Sequence, residues 1–342
     1  MSRVFNFILI SICCLSLLSI YKVYNSYTQQ YYMLSDLNDN NFNARDWDFV
    51  EKVETDYPNL SITAIPLKAL LANYYLANDS IVEGFNYVEQ AISEKSNPFI
   101  GYPEAIKAKL YNTIGTIDSA VYFSGKAFRL LPRNPLHFSE YARSLTFSQK
   151  YDSITEYFKL IKEKPYEPNW RVYLASISNF MDKVKDTAYP KQVARESLKL
   201  FPNQPILNIA AYYVLVGREN TVKALDLEKE GAKLLEKNEN DAAITILKEA
   251  DSLLPINVVF KENISVAYFN LQEFESVIKN LNKVELSGHE LDGLQNYMMG
   301  LSYFNTMELK NSCNRLLKAI NLNFAEANNA WTLICSPQKN QN

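Results

Sequence analysis

The sequence predicts an all-α chain in which one apolar helix precedes an α-solenoid of helix-turn-helix units. Three observations predict it. Among 342 residues only 9 are Gly, while Tyr numbers 23 and Phe 18, which suits helices with aromatic knobs between them and few tight turns. The run VFNFILISICCLSLLSIY, residues 4 to 21, is mostly apolar and carries no charge. An apolar stripe with helical spacing that halts at proline also comes back along the chain, as KAFRLLPRNP at 126–135, ESLKLFPNQP at 196–205 and KEADSLLPIN at 248–257.

Residues 1–3 form a short head, and residues 4–24, with Val23 and Tyr24 behind Lys22, approach the roughly 20 residues that cross hydrocarbon. A cleavable leader has a similar apolar centre, but the flank reads Tyr21, Lys22, Val23, Tyr24 with no small-x-small cleavage pattern, so a retained anchor is expected. Cys13 and Cys14 lie inside the run behind Ile12 rather than a small residue, and read as ordinary membrane cysteines rather than lipidation sites. Arg3 and the α-amino group precede the span, whereas Lys22 alone follows it before Arg45, with Asp36 and Asp39 between. That balance puts the N-terminus in the cytoplasm and the bulk of the chain outside it, periplasmic in a Gram-negative cell. Tyr21, Tyr24, Tyr27, Tyr31 and Tyr32 fall at the exit, either as an interfacial belt or as the start of the helical core. NARDWDFVEKVETDYPN reads as a helix ending at Pro58, so 25–64 is expected to hold a divergent first repeat whose first helix runs straight out of the membrane.

Laid on itself at a period of about 34, the chain repeats. Residues 224–257 place Gly231, Leu234, Ala243, Leu247, Ala250 and Pro255 at set intervals; 258–292 place Ser265, Tyr268, Val277, Leu281 and Val284 at the same offsets; 293–326 place Gly300, Tyr303, Ser312, Leu316 and Ala319 there. The N-terminal block, 65–202, shows the pattern again: Leu71, Ala72, Tyr75, Gly84, Val88 and Ala91, then Ala108, Tyr111, Ala120, Ala127 and Pro132, then Tyr141, Ala142, Leu145, Ile154 and Phe158. Two helices of a dozen residues, each with a narrow apolar stripe, cannot bury both stripes alone. Small residues let the pair approach, and the next pair covers what is left. Proline closes the second helices at Pro132, Pro202 and Pro255, because it cannot continue one and biases the preceding residue toward extended backbone.

This pattern resembles the tetratricopeptide repeat, with its small residue at 8, Tyr at 11, Ala at 20, a large residue at 24, Ala at 27 and Pro at 32. Departures stand at Lys107 and Glu230 in position 7, at Ser124 in position 24, and in the missing Trp at position 4. From 167 the period slips by about four residues around 186–191, and 203–223 reads as an irregular junction between the two blocks, 65–202 and 224–326. Residues 327–342 read as a capping helix and polar tail.

The resemblance implies partner binding through the first helices, whose inward positions are Asn73, Lys109, Asn112, Arg143, Arg171, Glu262, Tyr297 and Phe304. The N-terminal block is thereby expected to present a mixed Asn, Lys and Arg surface, and the C-terminal block an aromatic one. The Lys and Asn clamp that some members close on a peptide's terminal carboxylate is missing, since Glu262, Val266, Leu294 and Met298 occupy its positions.

Little else advertises chemistry. Net charge is -3, with no basic run, so nucleic acid is not an expected partner. Cysteines at 13, 14, 313 and 335 and histidines at 137 and 289 have no metal-ligand spacing, and no phosphate loop, Gly-x-Ser-x-Gly or HExxH is present, so no metal, cofactor or enzymatic activity is expected. If 308–321 and 325–335 form an antiparallel hairpin, Cys313 and Cys335 lie at similar distances from its turn, where a disulfide would need an oxidising compartment; two separate buried thiols are the alternative. The expectation is a membrane-anchored scaffold that binds protein partners in a bacterial envelope assembly such as secretion, pilus or polysaccharide export. An accessory subunit of a membrane enzyme, for instance a glycan transferase, and a secreted soluble binder are the rivals.

Overall fold

The computed structural model describes residues 2–336; Met1 of the head and the 337–342 tail lie outside the described residues. Among the described residues the regular secondary structure is helical apart from one isolated bridge between Leu60 and Pro66. The chain divides into two compact units between Ala211 and Tyr212, a point inside the 203–223 stretch.

In the first unit, α1 (Ser2–Asn38) is one unbroken helix of 37 residues. Its apolar half is exposed, while its second half is part of the core: Ser26, Gln30, Met33 and Asp36 are buried on one stripe at helical spacing. The helix expected to end at Pro58 is only α2 (Trp47–Glu51), started by Asp46, whose carboxylate accepts the Phe49 amide at 2.9 Å. It stops because Gln29 of α1 captures the backbone beyond it, donating to the Lys52 carbonyl at 2.9 Å and accepting from the Glu54 amide at 3.1 Å. Residues 25–64 therefore do not form a complete helical pair. The part that follows α1 forms a clamp around it.

Four hairpins follow: α3 (Leu67–Ala77) with α4 (Ile81–Glu94), α5 (Tyr102–Thr113) with α6 (Ile117–Leu130), α7 (Pro135–Phe147) with α8 (Tyr151–Lys159), and α9 (Glu167–Ser178) with α10 (Ala188–Leu200). α11 (Pro205–Val216) carries the division between the units. The second unit holds α12 (Arg218–Glu236) with α13 (Asn240–Leu253), α14 (Val259–Asn270) with α15 (Phe274–Leu286), α16 (Gly293–Asn305) with α17 (Leu309–Asn321), and the single helix α18 (Glu326–Cys335). From α3 to α10 and from α12 to α18 each helix packs on the next, and first helices also pack on first helices, α3 on α5, α5 on α7, α7 on α9, and α12 on α14, α14 on α16. That is the contact pattern of tetratricopeptide-like stacking.

Six of the seven hairpins share one turn. The middle residue of each three-residue connection is left-handed, namely Asp79, Gly115, Gln149, Asn238, Gln272 and Met307. The next amide bonds five residues back, from Ser80 to Tyr75, Thr116 to Tyr111, Lys150 to Leu145, Glu239 to Leu234, Glu273 to Tyr268 and Glu308 to Tyr303, at 2.8–3.0 Å. This closes the orphan carbonyls of the first helix. The carbonyl partner is always the position-11 residue, so the repeated Tyr or Leu marks the last full turn. Only one of the six left-handed positions is Gly, which reconciles a turn-rich array with so few glycines. Between α9 and α10 the nine residues 179–187 replace this turn, where the period slips.

Position 8 lies against position 24. A Cβ added to Gly231 would stand 2.6 Å from Leu247 Cγ, and one added to Gly300 would stand 2.8 Å from Leu316 Cγ. At these two hairpins only Gly permits the approach, whereas Ala72 with Val88 and Ser265 with Leu281 meet the same need with a different pair of sizes.

Candidate functional site

The first helices of the first unit carry a polar ladder. Asn73 of α3 donates to Tyr102 Oη at 3.1 Å and accepts from Lys109 Nζ of α5 at 3.4 Å. Asn112, one turn on, donates to Ser144 Oγ of α7 at 3.0 Å and faces Glu140 Oε2 at 3.5 Å. Ser144 in turn meets Ser124 Oγ of α6 at 3.1 Å. Burial pushes the Glu140 carboxyl above its ordinary range, and Arg143, Lys109 and Asn112 oppose the rise. Burial likewise lowers the Lys109 ammonium, partly offset by Glu140 and reinforced by Arg143. The result is two cations around one buried carboxylate, a charge cluster of which Arg143 is the exposed member.

The residues expected on the inward faces do not form one exposed surface. Asn73 is buried against Tyr102 and Asn112 against Glu140 and Ser144 of α7, and Lys109 is half-buried with its ammonium 5.6 Å from the Phe42 ring centroid, where the segment after α1 reaches α5. These three serve packing between helices. Arg143 is exposed and is the residue of the four that a partner can reach. Arg171 is half-exposed and pairs along its own helix with Glu167 at 3.3 Å. In the second unit, Glu262 is half-buried, its carboxyl raised by burial and by Asp292 against a hydrogen bond from Gln295. Tyr297 packs on Phe324 with centroids 5.2 Å apart, and only Phe304, 45% exposed, stands free as an aromatic contact.

The departures from the repeat pattern have physical explanations. Lys107 at position 7 is 7% exposed, yet its chain lies along Phe123, 4.1 Å from ammonium to ring centroid, and its charge meets Glu89. Ser124 at position 24 is buried and donates to the Ala120 carbonyl at 2.6 Å. Glu230 is exposed. His137 is wholly buried, and both ring nitrogens lack hydrogen-bond partners; the Ala127 and Leu131 carbonyls face the ring short of bonding geometry, and burial pushes its pKa down to about 4. It is a neutral core residue.

Sequence reading missed a lock between α1 and the repeats. Asp36, 3% exposed, takes a two-point ion pair from Arg45 at 3.0 Å and the Tyr74 hydroxyl at 2.7 Å. Tyr74 also meets Phe42 edge-on, centroids 5.3 Å apart, and Trp47 meets Tyr75 in the same way at 5.1 Å. Partners 9 and 38 residues away left no local signal beyond an acidic residue in an otherwise uncharged helical stretch.

In the second unit, Arg315 of α17 forks onto Glu285 of α15 at 2.6 Å on both arms and reaches Asn296 at 3.3 Å. Cys313 and Cys335 are joined by a disulfide, their Cα atoms 5.6 Å apart, tying α18 to α17; Cys13 and Cys14 are free and exposed. Among the described residues no cluster of three or more His, Cys, Asp or Glu is placed to hold a metal.

Neither a family model nor a curated protein matches the sequence. Among solved structures the chain is similar to a tetratricopeptide repeat protein from Parabacteroides merdae, at 11% identity and a TM-score of 0.37, over 79% of this chain and 98% of that one. It is also similar to the APC/C hetero-tetramer Cut9–Hcn1, at 14% identity and TM-score 0.34, over 84% and 52% of the two chains. A third similarity is to the TPR2AB-domain:pHSP90 complex of yeast Sti1, at 17% identity and TM-score 0.28, over 68% and 94%. The repeat assignment rests on the spacing, turns and stacking within the chain itself.

Proposed function

We propose that the chain is a membrane-anchored scaffold whose repeats dock a protein partner in an envelope assembly. One observation carries this reading: α1 is a single helix whose outer half is exposed and apolar while its inner half is core to the first repeat, so whatever holds the apolar half also holds the array. The exposed run has a mean hydropathy of 2.0 and none of it is buried, which in water is costly and in a bilayer is favourable. Lys22 is the one charge between the run and Asp36, and the Cys313–Cys335 bond fits an oxidising compartment, so both favour an extracytoplasmic array. Arg143, exposed beside Lys109 and Glu140, is the leading partner contact in the first unit.

Crosslinking of full-length protein in its native membrane, followed by gentle solubilisation and identification of what is captured, tests the proposal. Envelope components captured in the wild type and lost in Arg143→Glu support it. A stoichiometric membrane enzyme would replace it with the accessory-subunit reading, and recovery of the chain alone would remove its main support.

A further inference from the structure

The loop that follows α2 lies at an unusual height on α1. Cβ atoms of a helix tilt toward its N-terminus, so the Gln30 side chain reaches back along α1. It donates to Ser26 Oγ at 3.0 Å while its carbonyl accepts the Ile62 amide at 3.1 Å. Ile62 is thereby held level with Ser26. The stretch 4–24 rises about 31 Å at 1.5 Å per residue, close to one hydrocarbon thickness, so Ser26 stands only about 3 Å past its end. The interfacial layer is about 5–7 Å deep on each side. Ile62 therefore falls within it.

The loop is built for that height. Between Asp56 and Lys68 the eleven residues 57–67 carry no charge. Its tip, Ile62, Thr63 and Ala64, is exposed, with Ile62 67% exposed, and on α1 Tyr27 and Tyr31, the residues next to Ser26 and Gln30 in the chain, are exposed as well. Five of its amides are bonded inside the protein: besides Ile62 to Gln30, Ser61 donates to the Ile65 carbonyl at 2.8 Å, Ala64 to Ser61 at 2.9 Å, Leu67 to Asn59 at 3.0 Å and Ile65 to Ser61 Oγ at 3.1 Å. That lowers the cost of placing the loop at a bilayer surface.

We propose that the Ser61–Ile65 turn is a second membrane contact, with Ile62 inserted into the lipid interface beside the tyrosine collar of α1. This rests on the anchor reading. With α1 it gives two points of contact, which sets the tilt of the first repeat against the bilayer.

The test uses full-length protein in vesicles of three parts phosphatidylcholine to one part phosphatidylglycerol, with the Cys313–Cys335 bond oxidised and one nitroxide label per variant. Labels go on Ile62→Cys in a Cys13→Ser, Cys14→Ser background, on native Cys14 in Cys13→Ser, and on Phe147→Cys with Cys13→Ser and Cys14→Ser as the water reference, Phe147 being 52% exposed at the C-terminal end of α7, two hairpins away from the loop. Collision with oxygen relative to a water-soluble nickel chelate reads depth. The expected ratio at Ile62 exceeds that at Phe147 several-fold and is below that at Cys14. A ratio at Ile62 equal to that at Phe147, with Cys14 lipid-exposed, overturns the loop contact and leaves the anchor standing. A water-like ratio at Cys14 overturns the anchor and this proposal together.

Discussion

Gly231 is the position where the hairpin geometry is most sharply exposed to test. Replacing it with Ala puts a methyl 2.6 Å from Leu247 Cγ and Cδ2, so one side must withdraw by about 0.8 Å to reach 3.4 Å, where ordinary contact begins. Leu247 has little room to yield, since it is fully buried among Ala243, Ile264, Leu234 and Tyr268. Overpacking costs roughly 1–3 kcal/mol, and a 0.8 Å intrusion on a fully buried side chain falls at the upper end, about 2–3 kcal/mol; Ala gains about 1 kcal/mol over Gly as a helix former, so a net loss of about 1–2 kcal/mol is expected. Denaturant unfolding of the full chain in detergent, followed by helical circular dichroism, measures it, with the exposed neighbour Glu230→Ala expected within about 0.5 kcal/mol of wild type. Adding Leu247→Val installs the Ala and Val pairing that Ala72 and Val88 already use in the first repeat. The double variant is expected to lose at least about 0.5 kcal/mol less than the sum of its parts. A Gly231→Ala protein as stable as wild type, or strictly additive losses, would refute the idea that this contact sets the helix separation.

Other outcomes follow from individual groups. Met307 is 90% exposed with φ 64, so Met307→Gly removes left-handed strain without losing packing and should raise stability by about 0.5–1 kcal/mol in the same unfolding assay. His137 has a folded pKa of about 4, below the ordinary 6.5, so its contribution is intact above pH 6.5 and is lost as pH falls toward 4, by up to roughly 3 kcal/mol. Unfolding midpoints from pH 7 to 4 should fall less steeply in His137→Leu, and equal slopes would count against it. Asp36→Ala strands Arg45 and the Tyr74 hydroxyl and should cost about 2–4 kcal/mol while speeding hydrogen exchange in 39–66, whereas Asp48→Ala, which breaks an exposed pair, should shift stability by less than about 1 kcal/mol. Cys335→Ser opens a link across 22 residues, and faster exchange confined to α18, with a loss of about 3 kcal/mol, is expected; free alkylation of both thiols in unreduced wild type would contradict the bond.

The hairpins were legible because their determinants are local. A small residue at 8, Tyr or Leu at 11 and proline after the second helix each act within one repeat of about 34 residues, and periodicity multiplies a weak signal. The apolar run of α1 was legible for the same reason, since composition alone decides it. What the sequence concealed was long-range. The array's turns needed left-handed backbone that the chain supplies from Asp, Gln, Asn and Met, because the hydrogen bond to position 11 stabilises the turn whatever the residue. Whether Asn73, Lys109 and Asn112 meet a partner or their own neighbours depended on Tyr102, on Phe42, and on Glu140 and Ser144 of α7, in that order, each delivered from about 30 residues or more away. Charge and spacing determine which side chains share a helix face. Only tertiary packing decides what covers that face, because burial is a property of neighbours that the chain delivers from dozens of residues away.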